Sequence, residues 1–248
     1  MLRVSIITPT LNSERTLADT LRSVAAQQCP VFEHLIIDGG STDSTLQIAG
    51  DFAHVTTICS EPDRGLYDAV NKGLRLATGD VIGILNSDDF YAHDRVLLLV
   101  AEWLNATGAE ALYADLEYVH PTRPEKVVRY WKSGRCKPEK FQLGWMPPHP
   151  TFFVRKSVYD QYGAYNADLQ VSADYELMLR FLFREKISVC YLPEVITRMR
   201  AGGLSNARLA NRWRANREDR RAWRLNGLKP PFYTLLLKPV LKIRQFII

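Results

Sequence analysis

The sequence has few cysteines, and their arrangement would neither hold a metal nor cross-link a fold. Four occur in 248 residues, far apart and without a Cys-x-x-Cys pair: Cys29, Cys59, Cys136 and Cys190. Neither a zinc site nor a disulfide framework is therefore indicated. The chain enters a strand-like run within its first residues, without a charged leader and a long apolar stretch. We therefore expect no secretory signal and a reducing, cytoplasmic location.

The chain also lacks a glycine-rich phosphate loop of the common kind. No Gly-x-x-x-x-Gly-Lys-[Ser/Thr] motif occurs, which excludes a P-loop kinase. The composition is otherwise that of an ordinary globular protein, with 46% hydrophobic and 24% charged residues. Its length suffices for one large or two small domains with a well-buried core.

Acidic residues are scarce in the last part of the chain. Of the 32 basic and 27 acidic residues, the segment 208–248 holds eleven and two, a net charge of +9 against −4 for residues 1–207. A nearly neutral body thus carries a basic tail. Such asymmetry indicates an acidic partner for the tail, either an anionic membrane surface or nucleic acid.

Short apolar runs alternate with amphipathic segments through the first hundred residues. We predict strands over three of the runs: Val4–Thr10, Glu33–Asp38 and 55–59. We predict helices between them, over 13–28, 43–52 and 66–77. Strands that alternate with helices at this spacing indicate βαβ units around a parallel sheet.

The stretch 79–91 organises the rest of this region. It is an apolar run that predicts a buried strand, and it ends in the adjacent carboxylates Asp88 and Asp89. Ligands of open α/β sheets bind beyond the carboxyl ends of the strands. Adjacent aspartates repel each other there unless a cation compensates, and Mg²⁺ needs only one or two protein carboxylates beside water and phosphate oxygens. A solvated Asp-Asp turn is the alternative.

The pattern is looser after residue 109. Strands are predicted over 111–118, 126–131 and 151–155, a proline-rich and basic loop over 134–150, and a helix over 172–185. Neither an internal repeat nor a flexible linker is visible. We therefore expect a single composite domain.

Four motifs occur in one chain and in a fixed order. They are Asp38 after the second strand, Glu-Pro-Asp-Arg-Gly-Leu-Tyr-Asp-Ala-Val-Asn-Lys-Gly at 61–73, Leu-Asn-Ser-Asp-Asp at 85–89 and Ala-Asp-Tyr at 173–175. Together, over roughly residues 3–205, they resemble the family 2 inverting glycosyltransferases of GT-A fold. The resemblance is greatest to bacterial enzymes that build capsule, exopolysaccharide or O-antigen repeat units.

The resemblance implies a fold and a division of the chain. The fold class would be α/β, a GT-A Rossmann-like mixed sheet flanked by helices, with a basic amphipathic helical tail. The transferase domain would cover 1–205, with a nucleotide-binding half at 1–105 and an acceptor-binding half at 106–205. Residues 206–248 would be the C-terminal extension.

The resemblance also implies roles for individual residues. The nucleotide pocket would be lined by Thr8, Pro9, Thr10, Asn12 and Asp38, with Asp38 accepting a hydrogen bond from the base. Arg64 and Asp68 would border the pyrophosphate and ribose. Asn86, Ser87 and Asp88 stand at the DxD position, where Asp88 and Asp89 would hold ribose and a Mg²⁺ or Mn²⁺ ion. Asp174 falls where the family has its catalytic base.

Two residues depart from the family pattern. Asn86 replaces the first acid of the DxD motif, which removes one negative charge and leaves metal coordination to Asp88 or Asp89. Ala173 stands before Asp174, where the family often has glutamate. Neither departure removes the groups that the chemistry requires.

The chemistry explains why carboxylates are needed at two places. Glycosyl transfer passes through an oxocarbenium-like state, and the diphosphate leaves with growing negative charge that a divalent cation stabilises. Inversion needs a carboxylate on the opposite face to take the proton of the acceptor hydroxyl, and aspartate is ionised at neutral pH. The alternative for Asp174 is an acid favoured by the dipole at the start of a helix.

Three further residues are candidates for contacts with acceptor or diphosphate. His149 lies in Pro-Pro-His-Pro, where related enzymes often have a histidine that faces the acceptor or the metal; an exposed histidine is the alternative. Arg198 and Arg200, with the glycines after them, resemble a loop that closes over the diphosphate. Surface arginines are common, so a solvated pair is the alternative there.

The tail carries two different sequence patterns. Residues 208–224 contain seven arginines and two tryptophans in a helical pattern, whereas 232–248 is apolar but interrupted by Lys238, Pro239, Lys242 and Arg244. The second pattern is too short and charged for a spanning helix. We expect the tail to lie on the inner face of the cell membrane; packing on the domain or on a second subunit, as in a homodimer, is the alternative. Nucleic acid is not expected, because no recognition fold accompanies the charge.

These observations predict a metal-dependent glycosyltransferase. It would move a sugar from a nucleoside diphosphate, UDP before GDP or dTDP, to a saccharide or lipid-linked saccharide with inversion, in the biosynthesis of bacterial surface polysaccharide. One rival is a sugar-phosphate nucleotidyltransferase, which needs a glycine-rich, arginine-containing loop where this chain has Thr-Pro-Thr-Leu-Asn at 8–12. The other rival is a catalytically silent saccharide-binding or scaffold protein.

Overall fold

A computed structural model describes residues 2–202, 209–231 and 234. Nine strands form one mixed sheet: β1 Val4–Thr10, β2 Glu33–Asp38, β3 Thr57–Ser60, β4 Val81–Ile84, β5 Asp89–Tyr91, β6 Ala111–His120, β7 Arg123–Trp131, β8 Phe153–Arg155 and β9 Val189–Arg200. Seven α-helices accompany it within the described residues: α1 Leu17–Ala25, α2 Thr45–Gly50, α3 Leu66–Leu76, α4 Val96–Thr107, α5 Lys156–Tyr162, α6 Ala173–Met178 and α7 Leu209–Leu225. The strand order is β3-β2-β1-β4-β8-β6-β9-β5, and β7 pairs with β6.

The first half of the chain forms the parallel part of the sheet. β1 lies between β2 and β4, and every residue of these three strands is buried. Helices cover the sheet, which explains why the strands read as continuous apolar runs. α3 packs closely because Gly73 has no side chain; a Cβ atom there would lie 2.5 Å from Cγ2 of Ile7. The carboxyl ends of the strands therefore meet at one edge.

The second half of the chain is organised around β6. It pairs antiparallel with β7 and β8 and parallel with β9, while β8 also pairs with β4 and so joins the two halves. β9 in turn pairs with β5, which begins at Asp89. One lateral row of the sheet contains Asp89, Met199, Tyr118 and Arg129. The acidic end of the first half is thereby continuous with the strands of the second.

The predicted elements of the first half agree with the structure within a few residues, and β2 agrees at both ends. Strand β9 was not predicted: Pro193 and Glu194 are exposed and interrupt its pattern, and its register against β6 shifts beside Asp115. The assignment of Arg198 and Arg200 to a loop is therefore wrong, because both lie in β9. The predicted helix over 172–185 is α6 followed by a π-helical stretch, Leu179–Arg184.

Helix α7 packs against α6. Nε1 of Trp223 donates to the hydroxyl of Tyr175 at 3.0 Å, and Nδ2 of Asn226 donates to Oε1 of Glu176 at 3.0 Å. Part of the predicted tail is therefore integral to the core, as the packing alternative expects. Within the described residues, no helix has the length and apolar character needed to span a membrane. Residues 232–248, apart from Thr234, lie outside the described residues.

Candidate functional site

The carboxyl ends of β1 and β2 form a tightly hydrogen-bonded corner. The carboxylate of Asp38, at the end of β2, accepts from five protein groups: the hydroxyls of Thr10, Ser41 and Ser60 and the amides of Gly40 and Ser41. Burial opposes ionisation, but the hydrogen bonds outweigh it and hold the pKa of Asp38 below its usual value. A carboxylate has about four lone-pair positions. A contact with a nucleotide base would therefore replace one of these bonds.

The other residues predicted for the nucleotide pocket differ in their burial and hydrogen bonding. The side chain of Thr8 is completely buried, and its hydroxyl pairs with Nε2 of His34 at 2.9 Å. Pro9 and Thr10 are also buried, the latter against Asp38. Asn12 is exposed in the left-handed region, with φ of 48°. Asn12 is thus the member of this group with the most accessible side chain.

Asn12 joins the loop after β1 to the loop after β2. Its Oδ1 accepts from the amide of Thr42 at 3.0 Å, and its own amide donates to the hydroxyl of Ser41 at 2.8 Å. The next residue, Ser13, donates its amide to Thr45 at 2.7 Å. These bonds fix the two loops to each other without a ligand, so one wall of the cleft is preformed.

Arg64 and Asp68 lie at the start of α3 beside this corner. The amide of Arg64 donates to Oδ2 of Asp68 at 3.1 Å, and its guanidinium lies 3.6 Å from the same carboxylate. The amide contact and the guanidinium charge lower the pKa of Asp68. The Arg64 side chain is 79% exposed. It can therefore turn towards an anionic ligand without leaving a buried site.

The adjacent acids after β4 have different surroundings. Asp88 is half-buried, whereas Asp89 is completely buried, and Nδ2 of Asn86 donates to its Oδ2 at 2.9 Å. Burial raises the pKa of Asp88; burial and the charge of Asp88 raise that of Asp89 well above its usual value. The alternative of a solvated Asp-Asp turn is therefore wrong for Asp89, because Asp89 is buried and begins β5. Asp88 is the acid with access to the cleft.

Backbone contacts hold this acidic segment in place. The hydroxyl of Thr20 donates to the carbonyls of Ser87 at 3.0 Å and of Asp89 at 2.7 Å. Nη1 of Arg200, a buried residue, donates to the carbonyl of Asp88 at 2.9 Å, and its other nitrogen pairs with Asp19. The segment is thus fixed by α1 on one side and by β9 on the other.

These acids fit a hard divalent cation with few protein ligands. Oδ1 of Asp89 is buried without a hydrogen-bond partner among the described residues. Burying carboxylate oxygens in this way is costly unless a cation or a proton compensates. Within the same residues, no group of three or more His, Cys, Asp or Glu could hold a metal. The protein would therefore supply one or two carboxylates and leave the other positions to water and substrate phosphate, as Mg²⁺ typically requires.

Asp174 lies at the start of α6, among aromatic side chains. Burial raises the pKa of Tyr67 and Tyr165 well above the usual value, and the charge of Asp174 adds to both effects. The two tyrosine rings stack at 5.5 Å, and Nε2 of His149 pairs with the hydroxyl of Tyr165 at 2.7 Å. Burial lowers the pKa of His149, and the charge of Asp174 opposes this effect. The histidine is thus half-buried and near Asp174 rather than fully exposed in its loop.

Tyr118 links the two acidic regions. Burial raises the pKa of its phenol, the charge of Arg129 lowers it, and the charges of Asp89 and Asp174 both raise it. The phenol of Tyr118 is therefore within electrostatic range of both carboxylates. The guanidinium of Arg129 lies 4.5 Å from the centre of the Tyr118 ring. The charges of Asp89 and Asp174 thus act on one side chain, although 85 residues separate them in the chain.

Arg198 does not join Arg200 at the acidic segment. Its Nε donates to Oε2 of Glu117 at 3.0 Å, next to it across the β6–β9 pair. A contact between Arg198 and diphosphate stays a prediction, and it would require this ion pair to open. Of the two glycines predicted to close over the site, Gly203 lies outside the described residues.

Several residues of the cleft could not be identified from a single sequence. Strand register pairs Tyr118 with Arg129, and a hydrogen bond with His149 holds Tyr165. Tyr67 lies inside the motif at 61–73, which is the one signal that could have identified it.

Glu218 of α7 caps the segment that leads to Asp174. Its carboxylate accepts from the amides of Gln170 at 3.3 Å, Val171 at 2.8 Å and Ser172 at 3.0 Å. Ser172 stands at the N-cap of α6 without a capping bond from its own side chain. Glu218 thus replaces a local cap. The helix that carries Asp174 is positioned by a residue from the predicted tail.

The sequence matches the family described as glycosyl transferase family 2 over residues 5–163. It is 33% identical over 207 residues to the PGL/p-HBAD biosynthesis glycosyltransferase of Mycobacterium bovis (strain BCG / Pasteur 1173P2), covering 82% of this chain and 78% of the relative. It is 32% identical over 199 residues to an uncharacterized glycosyltransferase of Mycobacterium tuberculosis (strain CDC 1551 / Oshkosh), covering 78% and 75%.

Solved structures share the fold. S. aureus TarS 1-349 in complex with UDP superimposes with a TM-score of 0.68 at 19% identity, over 100% of this chain and 72% of that one. The mannosyltransferase PcManGT from Pyrobaculum calidifontis, in complex with GDP-Man and Mn²⁺, gives 0.66 at 19%, over 99% and 70%. The chain spans 43% of the longer S. aureus TarS chain. The predicted GT-A fold is thereby confirmed, and by its sequence the chain belongs to glycosyl transferase family 2 and is a glycosyltransferase.

Proposed function

We propose that the protein transfers a sugar from a nucleoside diphosphate, UDP in the first instance, to a hydroxyl of a saccharide or lipid-linked saccharide, with inversion at the anomeric carbon. The observation that supports the proposal is that the charges of Asp89 and Asp174 both act on Tyr118, whose register neighbour in β9 pairs with Asp89. One carboxylate group at the leaving diphosphate and one at the attacking hydroxyl are what such a transfer requires. The biological setting would be the synthesis of a bacterial surface polysaccharide.

The comparisons support the kind of donor. The S. aureus TarS structures hold UDP and UDP-GlcNAc, and PcManGT holds GDP-Man. In this chain the preformed corner made by the loops after β1 and β2 would bind the nucleoside. Asn12 would offer its accessible side chain, and a hydrogen bond from the base would replace one of the protein hydrogen bonds to Asp38. Arg64 would turn from Asp68 towards the diphosphate. Asp88, with Asp89 behind it, would hold a Mg²⁺ or Mn²⁺ ion.

The transfer itself uses Asp174 as the base. As the acceptor oxygen forms its bond to the anomeric carbon, the bond from that carbon to the diphosphate oxygen breaks, and Asp174 takes the hydroxyl proton. A bound divalent cation supplies Lewis-acid stabilisation of the leaving group. Tyr67, Tyr165 and His149, which lie near Asp174, would limit the access of water and orient the acceptor. The similarity to a PGL/p-HBAD biosynthesis glycosyltransferase of Mycobacterium bovis supports a biosynthetic role for this transfer.

The donor half of this proposal is tested by calorimetric titration of UDP and GDP, each with and without Mn²⁺. Wild type is compared with Asp88→Asn, and Asp51→Asn is the control, since Asp51 is exposed at the end of α2. We expect Mn²⁺-dependent binding of UDP that Asp88→Asn weakens about 100-fold, roughly 2.7 kcal/mol. The control should bind as wild type does.

Two other results would change the conclusion. If GDP bound and UDP did not, the donor assignment would be wrong while the transferase proposal would stand. If neither nucleotide bound, with or without Mn²⁺, the protein would be better described as a catalytically silent saccharide-binding protein. Asp89→Asn serves as a second variant: because Asp89 is completely buried, it should change stability as well as metal binding.

A further inference from the structure

Helix α7 has two faces of opposite character. The inner face is buried against α6 and contains Asp219, Ala222, Trp223 and Asn226, with exposures of 1%, 0%, 1% and 4%. The outer face carries exposed arginines: Arg214, Arg217, Arg220, Arg221 and Arg224. Their spacing of three and four residues places them on one side of the helix. The packing of α7 on the domain therefore leaves its charge pointing outward.

The arginine face is not balanced by acids of its own helix. The two acids of α7 turn away from it: Glu218 binds the amides before α6, and Asp219 is buried. Arg214 donates to Oε1 of Gln170 at 2.6 Å, and Arg221 lies 3.9 Å from Asp168. For Arg217, Arg220 and Arg224, the part of the chain that the structure describes provides no hydrogen bond or ion pair. Three guanidinium groups are thus free to meet an external anion.

We propose that this arginine face, composed of Arg214, Arg217, Arg220, Arg221 and Arg224, is a docking surface for an anionic lipid membrane. Its charge is complementary to such a surface, and arginines near anionic lipids contribute additively to binding. The sequence that follows favours a membrane over nucleic acid. Residues 232–248 hold eleven apolar or aromatic residues and three basic residues without an acid. Apolar side chains beside cations strengthen binding at a lipid interface, whereas nucleic acid gives them no partner.

The position of α7 gives this surface a meaning for the reaction. The helix is joined to α6 by Glu218, Trp223 and Asn226, and α6 begins one residue before Asp174. A membrane bound by the outer face would thus lie one helix away from the helix that carries the base. This placement suits an acceptor whose lipid end stays in the inner leaflet. The last step rests on the proposed function; the docking itself does not.

The test is co-sedimentation of the full-length protein with vesicles, compared between phosphatidylcholine alone and equal amounts of phosphatidylcholine and phosphatidylglycerol. The variant is Arg217→Gln/Arg220→Gln/Arg224→Gln, which removes the three cations that have no hydrogen bond or ion pair within the described residues and leaves the inner face intact. The control is Arg75→Gln/Arg95→Gln/Lys126→Gln, which removes the same charge at exposed positions elsewhere. Titration of UDP into each protein monitors the donor site independently.

We expect wild type and control to bind the anionic vesicles only, with affinity that falls as salt is raised. The triple variant should bind about 100-fold more weakly, with UDP binding unchanged. Equal binding by the triple variant and wild type would assign docking to another segment and overturn the proposal. Equal losses of vesicle binding in the triple variant and in the control would also overturn it, because they would show that net charge alone governs binding. So would binding to duplex DNA by a protein that does not bind the vesicles. If wild-type protein did not bind UDP, the donor proposal would be refuted and the docking proposal would be unaffected.

Discussion

The two halves of the molecule build their parts of the cleft in different ways. In the first half, loops that follow neighbouring parallel strands are bonded to each other, so Asn12 meets Ser41 and Thr42 at the same edge. In the second half, Asp174, His149 and Tyr165 come from separate segments, and Glu218 enters from a helix near the end of the described chain. The first half is a corner of the sheet; the second is an assembly of distant pieces.

This difference predicts a difference in what mutations do. Changes in the first half should alter ligand binding or the stability of the sheet without changing the position of α6, the helix that carries Asp174. Changes in the second half should alter turnover, because the position of Asp174 depends on contacts that join residues 46 or more apart, as between Ser172 and Glu218. Three experiments separate the halves by these readouts.

The largest effect is expected from Asp174→Asn. The variant keeps the shape of the side chain but cannot accept the proton, so kcat should fall about 10²–10⁴-fold, the usual contribution of a general base. Binding of UDP with Mn²⁺, measured by calorimetry, should not change. Asp168→Asn is the control, since Asp168 is an exposed acid of the same region. Unchanged kcat in the Asp174 variant would leave only the helix-dipole role for this residue.

A smaller effect on the same half is expected from Glu218→Gln. Loss of the charge weakens three backbone hydrogen bonds before α6, so the free energy of unfolding should fall by about 2–3 kcal/mol. If Glu218 positions Asp174, kcat should also fall while KM for the donor stays constant. Glu110→Gln is the matched control, because Glu110 accepts from the amide and hydroxyl of Ser188 away from the cleft. A purely structural role would give both variants the same loss of stability and unchanged kcat.

The smallest effect lies in the first half and depends on pH. Burial, together with the charge of His54, lowers the pKa of His34 to about 3. The imidazole of His34 forms hydrogen bonds with the hydroxyl of Thr8 at 2.9 Å and with Nε2 of His54 at 3.1 Å. The unfolded chain binds a proton here below about pH 6.5 and the folded chain does not. Stability should therefore fall as the pH drops from 6.5 towards 3, by about 2 kcal/mol at pH 5.

The measurement is denaturant unfolding between pH 7 and pH 5, compared between wild type, His34→Gln and His120→Gln. His34→Gln should be less stable at pH 7 but should lose less on acidification, since the group that titrates is gone. His120→Gln should follow wild type. An unchanged acid dependence in His34→Gln would show that other groups, His54 among them, cause it.

The sequence predicted the first half well for a physical reason. A strand buried on both faces reads as an apolar run, and a polar turn marks where it ends, so Glu33–Asp38 could be located to the residue. The same reasoning placed Asp88 at the correct edge. It could not show that Asp89 turns inward, because that depends on the pairing of Asp89 with Met199, 110 residues later.

The second half was predicted in part. The apolar pattern after Ser172 located the helix that carries Asp174, but nothing local identified Tyr118 or Arg129, which come near Asp89 through the register of three strand pairs. Glu218 was counted only as one of two acids in a basic tail. Its function follows from amides left over at the start of α6, and a sequence does not show which distant side chain will satisfy them.

The cap that Glu218 provides also has a consequence for synthesis of the protein. The amide of Ser172 leaves the ribosome 46 residues ahead of the carboxylate that binds it. Chains generally fold from the N-terminus as they emerge, so α6 first exists without its cap. A translation product that stops before residue 218 would contain all four family motifs and would still lack the carboxylate that binds the backbone just before α6.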